Sequence, residues 1–369
     1  MRRVFYWRRS LMFTIMKTGD IIELTVSDVA FGGDGVARHE GRVVFVPLTV
    51  SGDRLRARVT RVAAQFARAE VETLLQAGPG RTEPRCRHFG VCGGCQYQHM
   101  DYPTQLAVKE KQLRDTLARI GGIENPALLP WLAAPQAYGY RNRVSVHQQR
   151  GVIGFRARDG QRLLDIEECP LASDEVNAKL RYLRAHPGRR EHYSLREDRI
   201  PAEGFYQTNK FLLTEFRARV AALCLADAPA WIVECYGGAG FFTVALTVTG
   251  RRVSLIEADA RLVDAARKIL PADVDLYTGD CETVLPRLSA DTDLASAEML
   301  LDPPREGLGA SVRDWLVACP AKRLVYVSCN PATLARDLKA LSSRWTPRQF
   351  LPVDMFPQTA HFECVAVCD

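Results

Sequence analysis

Three side chains in the C-terminal part of the chain have the chemistry of an active site. Cys329 stands in V-Y-V-S-C-N-P, Asp302 in L-L-D-P-P-R and Glu363 in H-F-E-C-V-A-V. A thiolate can act as a nucleophile, and a carboxylate whose pKa is raised can act as a general base. A single cysteine at the end of a strand is also commonly structural, so the residues alone leave both interpretations of Cys329 open.

Four further cysteines have a spacing that suits metal binding. Cys86, Cys92 and Cys95 form the pattern C-x5-C-G-G-C in a polar segment rich in turn residues, and Cys169 follows in D-I-E-E-C-P, at the expected end of a strand. Four thiolates can complete an iron–sulfur cluster or a tetrahedral zinc site, and the spacing does not choose between the two. The spacing argues against a radical-type cluster, which would leave one iron without a protein ligand.

The remaining cysteines show no ligand spacing, and we expect them to be small apolar side chains in the core. They are Cys224, Cys235, Cys281, Cys319, Cys364 and Cys368. Eleven cysteines without a secretory signal predict a reducing compartment, and hence a cytoplasmic protein.

A glycine-rich turn between an apolar strand and a helix predicts a nucleoside cofactor. In W-I-V-E-C-Y-G-G-A-G-F-F, the glycines Gly237, Gly238 and Gly240 allow a ligand to approach the backbone at a helix N-terminus. Glu257 ends the next apolar stretch, where it can accept hydrogen bonds from both ribose hydroxyls. Asp280 in L-Y-T-G-D is expected at the tip of the following strand, beside an adenine. Because no P-loop lysine is present, ATP is disfavoured.

The chain has 369 residues, and we expect an N-terminal extension at 1–16 to be disordered. Three sequence patterns divide the rest of the chain. In residues 17–76, apolar and polar side chains alternate along short strands separated by glycine turns, which predicts a small β-barrel. Residues 77–195 contain the cysteine pattern, one helix and several strand–turn units, which predicts a small α+β domain with an antiparallel sheet. Residues 196–369 alternate apolar strands with helices, which predicts a parallel α/β sheet whose ligand lies at the carboxyl ends of its strands.

The charge balance permits a polyanionic partner without requiring one. The chain has 49 Lys and Arg against 43 Asp and Glu, a net charge of +6. It contains no apolar run of about 18 residues, so we expect no membrane contact. Arg54, Arg56 and Arg58 alternate along a predicted barrel strand and would project from one face, which suits a nucleic acid. A plain solvated strand face is the other interpretation.

The motifs together resemble those of the RNA uracil-C5 methyltransferases over nearly all of residues 17–369. The matching motifs are the cysteine pattern followed by Gln96 and Gln98, F-Y-Q-T-N at 205–209, the glycine turn, D-P-P-R at 302–305, S-C-N-P at 328–331 and H-F-E at 361–363. The barrel segment resembles a TRAM domain, an OB-like RNA-binding barrel. A TRAM domain combined with a cysteine cluster is most similar to the members that act on 23S ribosomal RNA.

The resemblance implies a role for each candidate residue. Cys329 matches the nucleophile that adds to C6 of uracil, Glu363 the base that removes the C5 proton, and Asp302 a residue that orients the uracil near the cofactor. S-adenosylmethionine is the implied methyl donor, and the matching cofactor positions are Gln207, Tyr236, Phe241, Glu257, Asp280 and Asp302. The implied ligands of a 4Fe-4S cluster are Cys86, Cys92, Cys95 and Cys169.

The resemblance further implies a monomeric enzyme with a Rossmann-like methyltransferase domain at 196–369, an iron–sulfur domain at 77–195 and a TRAM domain at 17–76. Arginines of the barrel and of residues 141–158 would contact RNA phosphates. The same reaction on transfer RNA is the alternative, because the stretch from Cys169 to Gln207 is shorter than in well-known members.

Two other classes of protein compete with this interpretation. A non-catalytic RNA-binding iron–sulfur protein would not need Cys329, Glu363 and Asp302. In a radical methylthiotransferase the cluster needs an open iron, and four cysteines would leave none.

Overall fold

The computed structural model describes residues 16–198 and 207–369. The expected extension therefore lies outside the described residues up to position 15, as do the first two positions of F-Y-Q-T-N. The chain forms two compact units. The first runs to Glu83 and includes His99–Asp101, and the second contains Pro84–Gln98 and Tyr102–Asp369. Within the described residues, none of the helices combines the length and the apolarity that a bilayer span requires.

The first unit contains the expected small barrel, which has five strands. Its strands are β1 (Ile21–Val29), β2 (Asp34–His39), β3 (Arg42–Pro47), β4 (Arg54–Val62) and β5 (Phe66–Gln76), and the barrel closes in the order β1-β2-β3-β5-β4. Alternate side chains of β1 and β4 are buried, which is the period-two pattern that the sequence shows. Closure leaves no strand edge open to another chain.

The arginines of β4 lie on one exposed face, as predicted. Their cross-strand neighbours differ, however. Arg58 forms an ion pair with Glu72, and Arg56 stands directly opposite Glu23 of β1. Arg54 stands between Thr25 and Gln76. The positive charge of this face is therefore concentrated at the Arg54 end.

A small antiparallel sheet lies in the second unit, together with helices. The elements in this part of the chain are α1 (Tyr102–Thr116), a π turn at Leu117–Gly121, β6 (Arg143–Gln149), β7 (Val152–Arg156), β8 (Leu163–Asp165), α2 (Asp174–Ala185) and β9 (His192–Arg196). The sheet order is β8-β7-β6-β9, and α2 packs its apolar side chains against one face. This confirms the expected combination of helix and antiparallel sheet.

The position of Cys169 corrects one expectation. Cys169 does not end a strand, because β8 stops at Asp165 and the cysteine lies in the following loop. The loop is held by a side chain instead of a neighbouring strand: the amide of Asn177 accepts a hydrogen bond from the Cys169 N–H and donates one to its carbonyl.

The rest of the second unit is a seven-stranded sheet flanked by helices. Its elements are α3 (Leu213–Leu225), β10 (Trp231–Cys235), α4 (Thr243–Leu246), β11 (Arg252–Glu257), α5 (Ala260–Ile269), β12 (Asp275–Thr278), α6 (Cys281–Asp291), β13 (Ala297–Leu301), α7 (Ala310–Ala318), β14 (Arg323–Ser328), α8 (Pro331–Leu341), β15 (Pro347–Val353) and β16 (Glu363–Cys368). The strand order is β12-β11-β10-β13-β14-β16-β15. Both faces are covered: Val233 belongs to one apolar cluster and its neighbour Ile232 to the other.

The sheet is mixed, which corrects the expectation of a wholly parallel one. Strands β10 to β14 pair in parallel, but β16 is antiparallel to both β14 and β15. The chain returns from β15 through residues 354–362, which contain no helix. Strands joined without a crossover helix pair antiparallel.

Burial separates the cysteines as the sequence predicts. The six without ligand spacing are all buried, whereas Cys329 and the four of the metal-type pattern are each partly exposed.

Candidate active site

A cleft of about 590 Å³ opens at the carboxyl ends of the parallel strands of the large sheet. Most of the predicted cofactor and catalytic residues line it: Gln207, Tyr236, Phe241, Glu257, Asp302, Cys329 and Glu363. Asp280 is not among the lining residues. It follows β12 at the N-cap of α6, so its expected place beside an adenine stays a prediction.

One wall of the cleft is the glycine-rich turn after β10. Tyr236 has a φ of 61° and Gly238 a φ of 57°, the left-handed region that the tight turn requires. At Gly237 a Cβ atom would lie 2.6 Å from Leu255 Cγ, so only glycine fits this close approach to β11. The carboxylate of Glu257 accepts hydrogen bonds from the N–H groups of Gly238 at 3.0 Å and Asp259 at 2.8 Å. Each of its oxygens keeps a second lone pair for a hydroxyl donor.

Gln207 contributes an unsatisfied polar atom to the same cleft. Its side chain is buried, and its Oε1 has no hydrogen-bond partner within the described residues. The Asn142 amide holds the backbone by donating to the Gln207 carbonyl at 3.0 Å. Buried acceptors are normally paired, so this atom points to a ligand with a hydrogen-bond donor.

The cleft brings together the thiol and the two carboxyl groups that the sequence singles out. Asp302 directly follows β13 and Cys329 directly follows β14, on neighbouring strands. Glu363 opens β16, and the pairing of Ser328 with Cys364 places it next to Cys329. Burial raises the pKa of Asp302 to about 7, of Glu363 to about 8 and of the Cys329 thiol to about 12. Each carboxyl also raises the pKa of the thiol, because a neighbouring negative charge disfavours the thiolate.

Arg305 is the cation beside these groups. Its guanidinium lowers the pKa of Cys329 and of Glu363, opposing the effect of burial. Its Nη2 lies 3.4 Å from Nδ1 of His361, whose pKa falls to about 4 through burial and the charge of Arg305. Thus His361 is neutral at neutral pH. The Arg305 carbonyl accepts hydrogen bonds from Asn330 and Thr333, each at 3.1 Å, which fixes the loop of Cys329.

Glu234 is a cleft residue that the sequence reasoning missed. It is buried on β10, and it accepts a hydrogen bond from the Thr243 hydroxyl at 2.5 Å. Burial, together with the nearby charge of Asp302, raises its pKa to about 8. The available signal was an acidic residue inside the otherwise apolar strand W-I-V-E-C.

The segment before Glu363 is anchored by two other parts of the second unit. Gln358 has a φ of 69° and is buried, and its carbonyl accepts hydrogen bonds from the N–H groups of Gln96 and Tyr97. Its backbone N–H and its side-chain amide both bond to Gln105 of α1. The residues that follow Cys95 are thus hydrogen-bonded to the loop that leads to Glu363.

The four cysteines of the metal-type pattern line a single small cavity. It has a volume of about 80 Å³ and is bounded by Cys86, Cys92, Cys95 and Cys169 together with Gln98 and Arg141. Burial raises the pKa of Cys92 and Cys169, and that of Cys95 to about 12. Gln98 donates to the Cys95 sulfur at 3.2 Å and accepts from the Cys86 N–H at 3.0 Å. Within the described residues, no three His, Cys, Asp or Glu side chains are grouped so that they could hold a metal ion.

Comparison with known proteins places these features in context. The TRAM domain family matches residues 16–71, and the family of tRNA (Uracil-5-)-methyltransferase matches residues 284–368. An uncharacterized RNA methyltransferase of Thermosynechococcus vestitus is 31% identical, over 96% of this chain and 99% of the relative. That alignment has 451 positions against the 369 residues of this chain, so the relative carries insertions.

Two further proteins are similar over almost their full length. The 23S rRNA (uracil(1939)-C(5))-methyltransferase of Pseudomonas entomophila is 28% identical, over 96% of this chain and 95% of the relative. The crystal structure of Pyrococcus abyssi tRNA (uracil-54, C5)-methyltransferase in complex with S-adenosyl-L-homocysteine has a TM-score of 0.72 at 23% identity, covering 94% of this chain and 99% of that chain. The fold is therefore shared along nearly the whole sequence.

Proposed function

The chain belongs to the S-adenosylmethionine-dependent RNA uracil-C5 methyltransferases, and from this premise we propose that it methylates C5 of a uridine in 23S ribosomal RNA through a covalent adduct with Cys329. The observation that carries the proposal is the cleft itself. It holds a thiol and two carboxyl groups beside a glycine turn and the strand-end acid Glu257.

Two polar groups of the cleft suit the cofactor: one has no hydrogen-bond partner, and the other is held in a fixed orientation. The buried Oε1 of Gln207 needs a donor, and the oriented carboxylate of Glu257 can accept from ribose hydroxyls. When bound, S-adenosylmethionine supplies the electrophilic methyl group that C5 accepts. In this proposal Gln207, Tyr236, Phe241 and Glu257 bind it within the cleft, and Asp280 does so at the tip of β12.

The role proposed for Cys329 is to make C5 nucleophilic. Its thiolate adds to C6, and the electron pair of the C5–C6 double bond moves into an enolate that extends to the C4 oxygen. The high pKa of the thiol means that it must lose its proton in the assembled site, and the Arg305 guanidinium favours the thiolate. Asp302 orients the ring from the neighbouring strand.

Glu363 completes the proposed reaction. After C5 has been methylated, the Glu363 carboxylate takes the C5 proton, the C5–C6 double bond re-forms, and the Cys329 thiolate leaves. A carboxylate whose pKa is raised to about 8 is a stronger base than an ordinary one, which suits removal of a carbon-bound proton. The target base must leave its stack to reach the thiol, so the uridine is flipped into the cleft.

The choice of 23S ribosomal RNA is supported by the TRAM domain and by the full-length similarity to the Pseudomonas entomophila enzyme. The test is mass spectrometry of 5-methyluridine in separated ribosomal and transfer RNA, after unmodified RNA has been incubated with the protein and S-adenosylmethionine. We expect product in 23S RNA only. Product in transfer RNA only contradicts the choice of substrate, and product in neither contradicts the enzyme function.

We further propose that the cysteine cavity holds a 4Fe-4S cluster. The four thiols line one cavity, and four cysteine thiolates are the usual ligand set of such a cluster. Arg141 faces this cavity, and its electrostatic neighbours include the thiols of Cys169 and Cys95. A cation in this position suits the negative charge of a thiolate-ligated cluster.

The proposed role of the cluster is structural. With four cysteine ligands, metal–thiolate bonds would fix the segment that runs from Cys86 to Cys95. Gln96 and Tyr97 follow that segment and donate hydrogen bonds to the Gln358 carbonyl, so the cluster would hold the loop that leads to Glu363.

Anaerobically purified protein tests the cluster without any activity measurement. We expect an oxygen-sensitive brown chromophore, with iron and sulfide in equal amounts, that is lost in Cys92→Ala. The buried Cys319→Ala serves as the matched cysteine control and keeps the colour. Colourless protein with stoichiometric zinc contradicts the cluster.

A further inference from the structure

A second cavity in the second unit is similar in size to the active-site cleft but is separate from it. Its volume is about 610 Å³. It is lined by residues from four segments: Arg85, Gln136–Gly139, a stretch that contributes Glu168, Pro170, Ala172, Asp174 and Asn177, and Lys210–Phe211. Glu168 and Pro170 also border the cysteine cavity, so the two cavities share a wall.

Two aromatic rings, each with a cation beside it, line this cavity. The Arg85 guanidinium carbon lies 5.1 Å from the ring centre of Tyr138, and the Lys210 Nζ lies 5.1 Å from that of Phe211. Tyr138 and Phe211 are both half-buried. Aromatic rings and guanidinium planes are the surfaces on which proteins stack single-stranded bases.

The charges in the cavity favour a neutral ligand over a phosphate. Glu168 and Asp174 offset the positive charges of Arg85 and Lys210, and Lys210 also lies 3.6 Å from Glu197. A carboxylate accepts hydrogen bonds from the amino group of a base, as in its pairing with the N4 amino group of cytosine. The cavity thus offers stacking surfaces, donors and acceptors, which together match a nucleobase with an amino group.

A short, well-anchored segment connects this cavity to the active site. Gln207 lines the active-site cleft, and Lys210 and Phe211 line the second cavity. Four residues extend at most about 14 Å, so the backbones at the two sites lie within that distance. Thr208 and Lys210 are hydrogen-bonded through their backbones to Asn142 and Tyr140, which keeps the spacing fixed. At a stacked rise of about 3.4 Å, 14 Å corresponds to about four nucleotides.

We propose that this cavity binds a second base of the RNA, one with an amino group, within about four nucleotides of the target uridine. The inference rests on the proposed function, because it assumes an RNA strand that enters the cleft. The second base anchors the strand while the uridine is flipped, so the cavity contributes to affinity and to target choice and does not touch the reacting atoms.

The test combines protein variants with RNA that lacks single bases. Phe211→Ala and Arg85→Ala each remove one side of the cavity, and synthetic RNAs carry an abasic nucleotide at each of the about four positions on either side of the uridine. We expect Phe211→Ala to raise the KM for RNA by about 5- to 150-fold, the range for loss of one stacked base. Its kcat and its binding of S-adenosylmethionine should stay unchanged. Tyr182→Ala is the control, since this exposed aromatic on α2 stacks on His186 and does not line the cavity.

One abasic position should identify the bound base. With RNA that is abasic at that position, the wild type should lose as much affinity as Phe211→Ala loses with intact RNA. Phe211→Ala should lose no further affinity with the abasic RNA, because both changes remove the same interaction. Direct binding of the same RNAs, followed by fluorescence anisotropy, tests the cavity even if no RNA is methylated. Should Phe211→Ala fail to bind S-adenosylmethionine, Arg85→Ala, which changes an exposed side chain, decides the matter. Equal RNA affinity of the cavity variants and the wild type, or equal abasic losses in both, overturns the proposal.

Discussion

The acidic side chains of the cleft cannot all be ionised at once. Asp302, Glu363 and Cys329 lie together in the cleft, and burial raises the pKa of each. At neutral pH the thiol therefore carries its proton, and the raised pKa values of the two carboxyl groups favour their protonated forms as well. The positive charge of Arg305 lowers the pKa of Glu363 and of Cys329. The pKa values of these residues thus predict how the reaction depends on pH.

We predict that kcat/KM rises with pH through about 8. Glu363 acts in its ionised form, and burial raises its pKa to about 8, so the active form is lost as the pH falls through that value. Ionisation of Cys329 changes in the same direction. A pH–rate profile checks this, and Glu363→Gln should remove turnover at every pH. In Arg305→Ala the rise should move to higher pH, since the cation that lowers both pKa values is gone. A wild-type profile that is flat from acid to alkaline pH contradicts the assignment.

At the scale of elements, α1 and the loop between β15 and β16 are joined by a buried ion pair. The Lys109 ammonium lies 2.7 Å from the Asp354 carboxylate, and both side chains are fully buried. Lys109 also donates to the Phe356 carbonyl. This pair lies at the start of the segment that leads to Glu363, so it contributes to holding the catalytic loop on the fold.

Replacing Lys109 by Met should destabilise the protein strongly. The substitution leaves the Asp354 carboxylate buried without its cation, which costs about 3–5 kcal/mol when one partner of a buried pair is removed. Urea unfolding measures the change in the free energy of unfolding. Lys111→Met is the matched control on the same helix, because the Lys111 ion pair with Asp115 is exposed and should contribute less than about 1 kcal/mol. Equal effects of the two substitutions would show that the buried pair does not stabilise the fold.

The barrel strand β4 gives a second prediction at this scale. Arg58 is paired with Glu72, whereas Arg54 stands between Thr25 and Gln76. A phosphate should therefore interact more strongly with Arg54. We expect Arg54→Ala to weaken RNA binding more than Arg58→Ala and to reduce the slope of log K against log salt by about 0.7–0.9, the value for one phosphate contact. Identical salt dependence in both variants contradicts an RNA-binding role for this end of the strand.

The ends of the strands could be predicted from the sequence, but the direction of one strand and the position of one loop could not. The ends of β13 and β14 were predictable because apolar strands end abruptly at Asp302 and Cys329, and parallel strands share one edge. The reversed direction of β16 was not, because the residue pattern of a buried strand does not depend on its direction. Cys169 was placed at a strand end for a related reason: a polar loop fixed by Asn177 has no periodic signal.

For the whole molecule, the sequence predicted the order of barrel, small sheet and α/β sheet, together with most of the cleft. Glu234 was missed because the role of an acid in an apolar strand depends on the residues packed around it, and these are known only from the fold. The second cavity was missed for the same reason, since its walls come from segments far apart in sequence. The net charge of +6 is compatible with RNA binding, and family membership is what identifies the substrate as RNA.

The most direct test of the whole account is the fate of the uridine in three proteins compared side by side. RNA is incubated with S-adenosylmethionine and wild type, Cys329→Ala or Glu363→Gln, and 5-methyluridine and covalent protein–RNA adducts are measured by mass spectrometry. The account predicts free 5-methyluridine with wild type, neither product nor adduct with Cys329→Ala, and an adduct on Cys329 that retains the C5 proton with Glu363→Gln. Formation of 5-methyluridine by Cys329→Ala at the wild-type rate would contradict it.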